Sequence, residues 1–392
     1  MLNNSIVKPP RGHGRRVFDS CGIAAYMNVD GKKESGEKIV KMITTMLDRE
    51  NGLGAGFAIY GIFPERKNHF CLQMLLDNDD ARERVRAFLR QHTRIVDEEP
   101  IKTRPTANIK PPLPLLWRFF LDPLEEKKRD MDEYDYMMKL VMFINAEIEG
   151  AFCMSSGKNM GVFKGNGWSR DVSDFYCIDE IKADFFMAHS RFPTNTPGWW
   201  GGAHPFNIFG LSVIHNGEIT SYGTNRRYVE MYGYRCTLMT DSEVVAYVLD
   251  ILTRKHNLPL QVACMAASPL YHTMIASFEG ERREFWDLIR KNYRPAMING
   301  PFSICVGFND KIPMLMGLTD RKKLRPLIAA SSRGGKTIFL SSEECAIRIL
   351  GDDIDEVWAP LAGNPVIIEK GKGLVWRGDR NPLEEKQIEF VS

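Results

Sequence analysis

Apolar runs of strand length recur at both ends of this chain, with helix-period segments between them. Residues 22–29 (GIAAYMNV), 54–63 (GAGFAIYGIF) and His69 to Leu75 come first. From about residue 150 the runs become AFCMSSGKNMGVFKGNG, DFFMAHSR, FNIFGLSVI, AMINGPFSICVGF and KIPMLMGL. Short apolar runs bounded by Gly, Asn and Pro read as strands. Residues 36–50, 79–92, 131–148 and 241–254 instead space their apolar side chains for helices, the first stopped by Asn51-Gly52. The last begins at Thr240/Asp241 with Glu243 behind them, an N-cap pattern. This order predicts a layered fold of helices on mainly antiparallel sheets.

Charge and cysteine usage narrow the function. The 52 basic and 50 acidic residues leave a net charge of +2, which argues against a dedicated nucleic-acid binder. The eight cysteines are scattered and form no CxxC pair, so neither a disulfide scaffold nor a Cys-rich metal site is expected. No apolar run approaches the ~20 residues that span a bilayer, and no apolar signal region precedes Cys21. A cytoplasmic protein is the expectation. Residues 1–20 read as an extended leader, 65–145 as an inserted subdomain containing the proline-rich IKPPLPLLW, and 371–392 as a tail.

Four clusters could carry chemistry. Cys21-Gly22 heads the first apolar run. HSRFPTNT (189–196) and HNGEI (215–219) each follow a strand, and TDSE (240–243) opens a helix. A thiol is a nucleophile when a base activates it. Asn-Gly offers a side-chain amide and an unhindered backbone N–H to an oxyanion. An arginine grips a carboxylate through two parallel bonds, and an aspartate pairs with an ammonium group. Together they suit an α-amino acid with a side-chain carbonyl, and glutamine fits. Taken singly, each has a plainer reading. HNGE is a hairpin turn, Asp241 a helix cap, Cys21 a core residue and Arg191 an ion-pair partner. His189, His204 and His215 lack metal-ligand spacing.

CGI, SRFPTNT with a following Trp and HPF, HNGEI and TDSE together resemble the glutaminase domain of class II glutamine amidotransferases, which are N-terminal-nucleophile hydrolases. The nearest likeness is to the amidotransferase part of glutamate synthases. NGPFSICVGF, GLTDRKKLRPL and LSSEE extend it, so it spans about 21–350. The resemblance implies an α+β fold, a four-layer αββα sandwich of antiparallel sheets, within a domain at 21–370. It implies that Cys21 is the nucleophile, activated by its own α-amine once residues 1–20 are removed. It further implies an oxyanion hole at Asn216 and Gly217, a carboxylate site at Arg191 with Thr194 beside it, and an α-amine site at Asp241.

The chain has no acidic phosphoribosyltransferase loop, no SGGxDS loop and no dinucleotide fingerprint, and SSRGGKT (331–337) lacks a glycine that a phosphate-binding loop requires. The expectation is a glutaminase subunit serving a separate synthase, with flavin and iron–sulfur centres on that partner and no cofactor in this chain. Glutamate synthase and an N-methylglutamate-type synthase would be served alike. Two alternatives are a non-catalytic module that keeps the fold, and an N-terminal-nucleophile hydrolase of another amide.

Overall fold

The computed structural model describes residues 21–191, 198–309, 311–351 and 353–380. The leader 1–20, Thr194 and residues 381–392 of the tail lie outside the described residues. Two antiparallel sheets stack face to face. The first has seven strands in the order β17 (Ile354–Trp358), β15 (Ile328–Ser332), β16 (Thr337–Ser341), β1 (Gly22–Asn28), β10 (Phe185–Ser190), β3 (Ala55–Tyr60) and β8 (Met160–Gly165). The second has six, in the order β11 (Phe206–Ile208), β12 (Leu211–Gly217), β13 (Phe302–Asn309), β14 (Pro313–Thr319), β18 (Val366–Glu369) and β19 (Gly373–Trp376).

Side chains alternate across each strand, and this divides the core into layers. Ile23, Ala25 and Met27 of β1 meet Ile214, Cys305 and Leu315 between the sheets. Ala24 and Tyr26 point the other way, onto helices Glu37–Thr44, Ser169–Tyr176 and Glu344–Arg348. Val213, Ile304 and Met316 of the second sheet face helices Tyr222–Glu230, Asp241–Asp250 and Leu260–Ala267. The result is the αββα sandwich expected from the sequence. Strands that are buried on both faces need no polar alternation, which is why the runs read as continuously apolar.

Residues 65–145 supply most of a third sheet, β5 (Thr93–Pro100), β6 (Leu115–Pro123), β4 (Phe70–Leu76) and β7 (Ala151–Lys158), with helices Asp79–His92 and Glu133–Glu147 packed on it. Its core merges with the outer helical layer of the second sheet. A short ribbon pairs β2 (Glu34–Ser35) with β9 (Lys182–Ala183). Among the described residues no helix is long and apolar enough to cross a membrane.

The structure corrects several local readings. FNIFGLSVI is two strands, because Phe209 and Gly210 both take positive φ (43° and 82°) and reverse the chain. The helix read over 36–50 ends at Thr44 and is followed by a 3₁₀ turn, Leu47–Arg49. The strand read in AMINGPFSICVGF begins only at Phe302. The helix read over 241–254 is α-helical to Asp250 and continues as a π-turn, Ile251–Lys255. Thr240 makes no side-chain cap there, and Glu243 turns back to accept the Thr237 and Leu238 amides.

Candidate active site

Cys21 is part-buried at the entry to β1. Antiparallel pairing sets Gly22 opposite Ser190, which brings Cys21 opposite Arg191 where β10 ends. By strand alternation Cys21 shares the face of Ile23, toward the second sheet. The glycine that follows has a steric reason. A Cβ on Gly22 would stand 2.6 Å from Ser190 Oγ. Arg49 Nε donates to the Cys21 carbonyl at 3.2 Å, and Glu343 pairs with the Arg49 guanidinium from behind.

Arg191 is 4% exposed, and its amide donates to the Gly54 carbonyl at 2.9 Å. Burial lowers its pKa, while the negative ends of Cys21 and Asp241 oppose that shift. A guanidinium keeps its proton even so. Cys21, Arg191 and Asp241 therefore share one electrostatic neighbourhood, although they come from three elements.

The HNG segment is the end of β12 rather than a hairpin turn, with Asn216 opposite Ser303 and Gly217 opposite Phe302. Asn216 lies on the intersheet face of its strand, two residues from Ile214, and is fully buried. Neither its amide nitrogen nor its amide oxygen has a hydrogen-bond partner among the described residues. An unpaired buried amide costs about 1–3 kcal/mol and calls for an explanation. Gly217 has φ 139°, and a Cβ there would lie 2.0 Å from the Pro301 carbonyl oxygen, so no other residue fits.

Asp241 opens helix Asp241–Asp250, and its Oδ2 accepts the Ile219 amide at 2.9 Å, which ties the helix to the strand that carries Asn216. Ser242 Oγ lies 3.1 Å from Asp241 Oδ1, 2.9 Å from His204 Nε2 and 3.0 Å from His215 Nδ1. A hydroxyl has one proton and two lone pairs, and a carboxylate only accepts. The hydroxyl thus donates to Asp241, and both imidazoles donate into the hydroxyl. His189 Nε2 donates to the His215 carbonyl at 2.9 Å and stacks on His204 at 3.9 Å between ring centroids. The three remaining ring nitrogens, on His189, His204 and His215, have no partner among the described residues, so none of them needs to carry a proton.

A family model described as "Glutamine amidotransferases class-II" matches residues 106–380. The chain belongs to that family. An uncharacterized protein of Archaeoglobus fulgidus is 43% identical to this amidotransferase over 94% of the chain and 95% of its own length. A putative glutamine amidotransferase of Methanothermobacter thermautotrophicus is 24% identical over 85% of the chain and 94% of its own. Among solved structures, the glutamine phosphoribosylpyrophosphate amidotransferase of B. subtilis is similar to 92% of the chain at 13% identity and a TM-score of 0.47. The chain spans about half of that protein, 49%.

In this amidotransferase the three histidines are a neutral scaffold. Burial lowers all three pKa values, that of His189 to about 3. Among the described residues no group of three His, Cys, Asp or Glu could hold a metal ion. The residues that sequence reasoning left without a role are His204, Ser242 and Arg49, along with His189 and His215. All but Arg49 stood inside quoted motifs, but nothing in one dimension shows that they meet.

The His189 shift has a measurable sign. Its folded pKa lies below the ordinary 6.5, so the unfolded chain binds the extra proton. The stability it contributes is complete above pH 6.5 and is lost as pH falls toward 3. Glu50, pushed up to about 7 by burial, acts in the opposite sense between pH 4.5 and 7 and is common to wild type and variant. Denaturation of His189→Gln across this range should show a pH slope gentler by up to about 1.4 kcal/mol per pH unit. Identical slopes would mean that His189 carries its proton in the folded protein.

Proposed function

We propose that this chain is a glutaminase that hydrolyses L-glutamine through a thioester on Cys21 and passes the ammonia to a separate synthase subunit. The observation that carries the reading is the convergence of Cys21, Arg191 and Asp241, from three elements, in one electrostatic neighbourhood. The unpaired Asn216 amide on the intersheet face supports it.

The chemistry needs a base at Cys21. A peptide nitrogen cannot serve, whereas a free α-amine with an ordinary pKa near ~8 can. Residues 1–20 are accordingly a propeptide, cut between Ser20 and Cys21. The amine takes the thiol proton, and the sulfur attacks the glutamine carboxamide carbon. The carbonyl electron pair moves to oxygen, where Asn216 Nδ2–H and the Gly217 N–H would donate to it. Collapse breaks the C–N bond, and the nitrogen leaves as ammonia with the proton held by the amine. Water then adds to the thioester, releasing glutamate and the thiol. Arg191 binds the α-carboxylate, with Thr194 as a second contributor, and Asp241 binds the α-ammonium group. The acceptor is a glutamate synthase-type partner that carries its own flavin and iron–sulfur centres.

Intact-mass analysis of protein that turns over glutamine tests the activation step. The expected mass starts at Cys21. Full activity with Met1 still attached would sink the amine-base mechanism.

A further inference from the structure

Lys164 is a fully buried lysine on β8, the edge strand of the first sheet, at 1% exposure. Its Nζ donates to the carbonyls of Gly201 at 2.9 Å and Pro205 at 3.2 Å. It also lies 5.0 Å from the Phe206 ring centre and 5.6 Å from that of Phe152. Phe152 in turn packs edge-on against Trp199, with centroids 5.5 Å apart. One ammonium group therefore grips both ends of the segment 201–205 and the aromatic side chains that flank it.

That segment forms a wall of the arginine pocket. A Cβ built on Gly202 would be 3.4 Å from Arg191 Nη1. On the other side, a Cβ on Gly54 would be 3.5 Å from Arg191 Cδ and 3.2 Å from Ala203 Cβ. The segment also rests directly on the first sheet. Gly56, the cross-strand partner of Lys164, leaves room for the His204 carbonyl, which a Cβ there would meet at 2.3 Å.

We propose that Lys164 is a positioning residue for glutamine binding, clamping the segment 201–205 so that it holds the Arg191 guanidinium in place. This rests on the glutaminase reading for its substrate, but the clamp can be tested without it. Burying an ammonium group is expensive, and here the cost is offset by its bonds to the Gly201 and Pro205 carbonyls. The charge at Lys164 thus has little value to the core alone. It acquires one if the two carbonyls must stay where they are. Glu243, on the helix that begins at Asp241, faces Lys164 across a cavity of about 20 Å³, the size of one water molecule. Burial lowers the pKa of the lysine and raises that of the glutamate, and each field offsets part of the other's shift.

The test is Lys164→Met, with three readouts. KM for glutamine should rise at least about tenfold while kcat stays within about threefold, the split that loss of ground-state positioning produces. Acrylamide quenching of Trp199, taken as the difference from Trp199→Phe, should increase. The melting temperature should fall modestly, because the Gly201 and Pro205 carbonyls lose their donor. Wild-type KM and wild-type Trp199 quenching would overturn the proposal, as would a fall in activity that only tracks lost folded protein. Should the methionine variant not fold, Lys164→Gln replaces it. Its shorter head reaches at most one carbonyl, so KM should rise at least about threefold with greater Trp199 quenching, and wild-type values would again refute the clamp. If the wild-type protein turns over no glutamine, the functional reading falls, and Trp199 exposure still decides the clamp.

Discussion

Alanine at Cys21 should remove glutamine hydrolysis by a factor on the order of 10⁴ to 10⁶, the range seen when a covalent nucleophile is deleted. Binding should survive, because Arg191 and Asp241 are untouched. Calorimetric titration of Cys21→Ala with glutamine should therefore give an affinity close to wild type beside a turnover near zero. No other thiol is placed to stand in. Burial pushes Cys71, Cys153 and Cys236 up to about 12, which leaves about one part in 10⁵ as thiolate at neutral pH. Cys345 is exposed, so it is the one to watch in labelling. A glutamine-like electrophile should mark Cys21 in a reaction that glutamine blocks, whereas labelling of Cys345 should be indifferent to glutamine. Unchanged turnover in the alanine variant would sink the Cys21 mechanism. Turnover near zero in wild type and variant alike would favour a binding module.

What could be read in advance follows the range of the forces involved. Apolar run length and helix period placed β1, β4, β10 and helix Asp79–His92 within a residue or two, and β3 within three. Strand β5 escaped notice because TRIVDEEP is charged, and its position explains the charge: it is an edge strand of the third sheet, where polar side chains meet water. The turn at Phe209-Gly210 was hidden because a phenylalanine rarely takes positive φ, and only tertiary packing holds it there. HNGEI invited a turn reading on local grounds. Pairing of Asn216 and Gly217 with Ser303 and Phe302, more than eighty residues away, overrides that preference. The site motifs were visible as residue types. The hydroxyl that joins Asp241, His204 and His215, and the lysine inside MGVFKG that grips Gly201 and Pro205, depend on contacts with no sequence signature.

Asn216→Ala should lower kcat for glutamine by about 10² to 10³ while KM changes little. An oxyanion donor acts on charge that develops only in the transition state, so its loss appears in kcat rather than in substrate affinity. The resting structure adds a second expectation that a structural asparagine would not share. Removing a hydrogen-bonded buried amide ordinarily destabilises a protein, since its partners are left unpaired. Here both polar atoms of the Asn216 side chain already lack partners among the described residues. Alanine therefore removes a desolvated amide and breaks no bond, and stability should hold or rise even as turnover collapses. Opposite movements of activity and stability are the mark of a group kept for function at the fold's expense. Denaturant unfolding and steady-state kinetics on the same preparation measure both. A variant with wild-type kcat would place the oxyanion hole elsewhere. One that loses stability along with activity would make Asn216 a structural residue of β12.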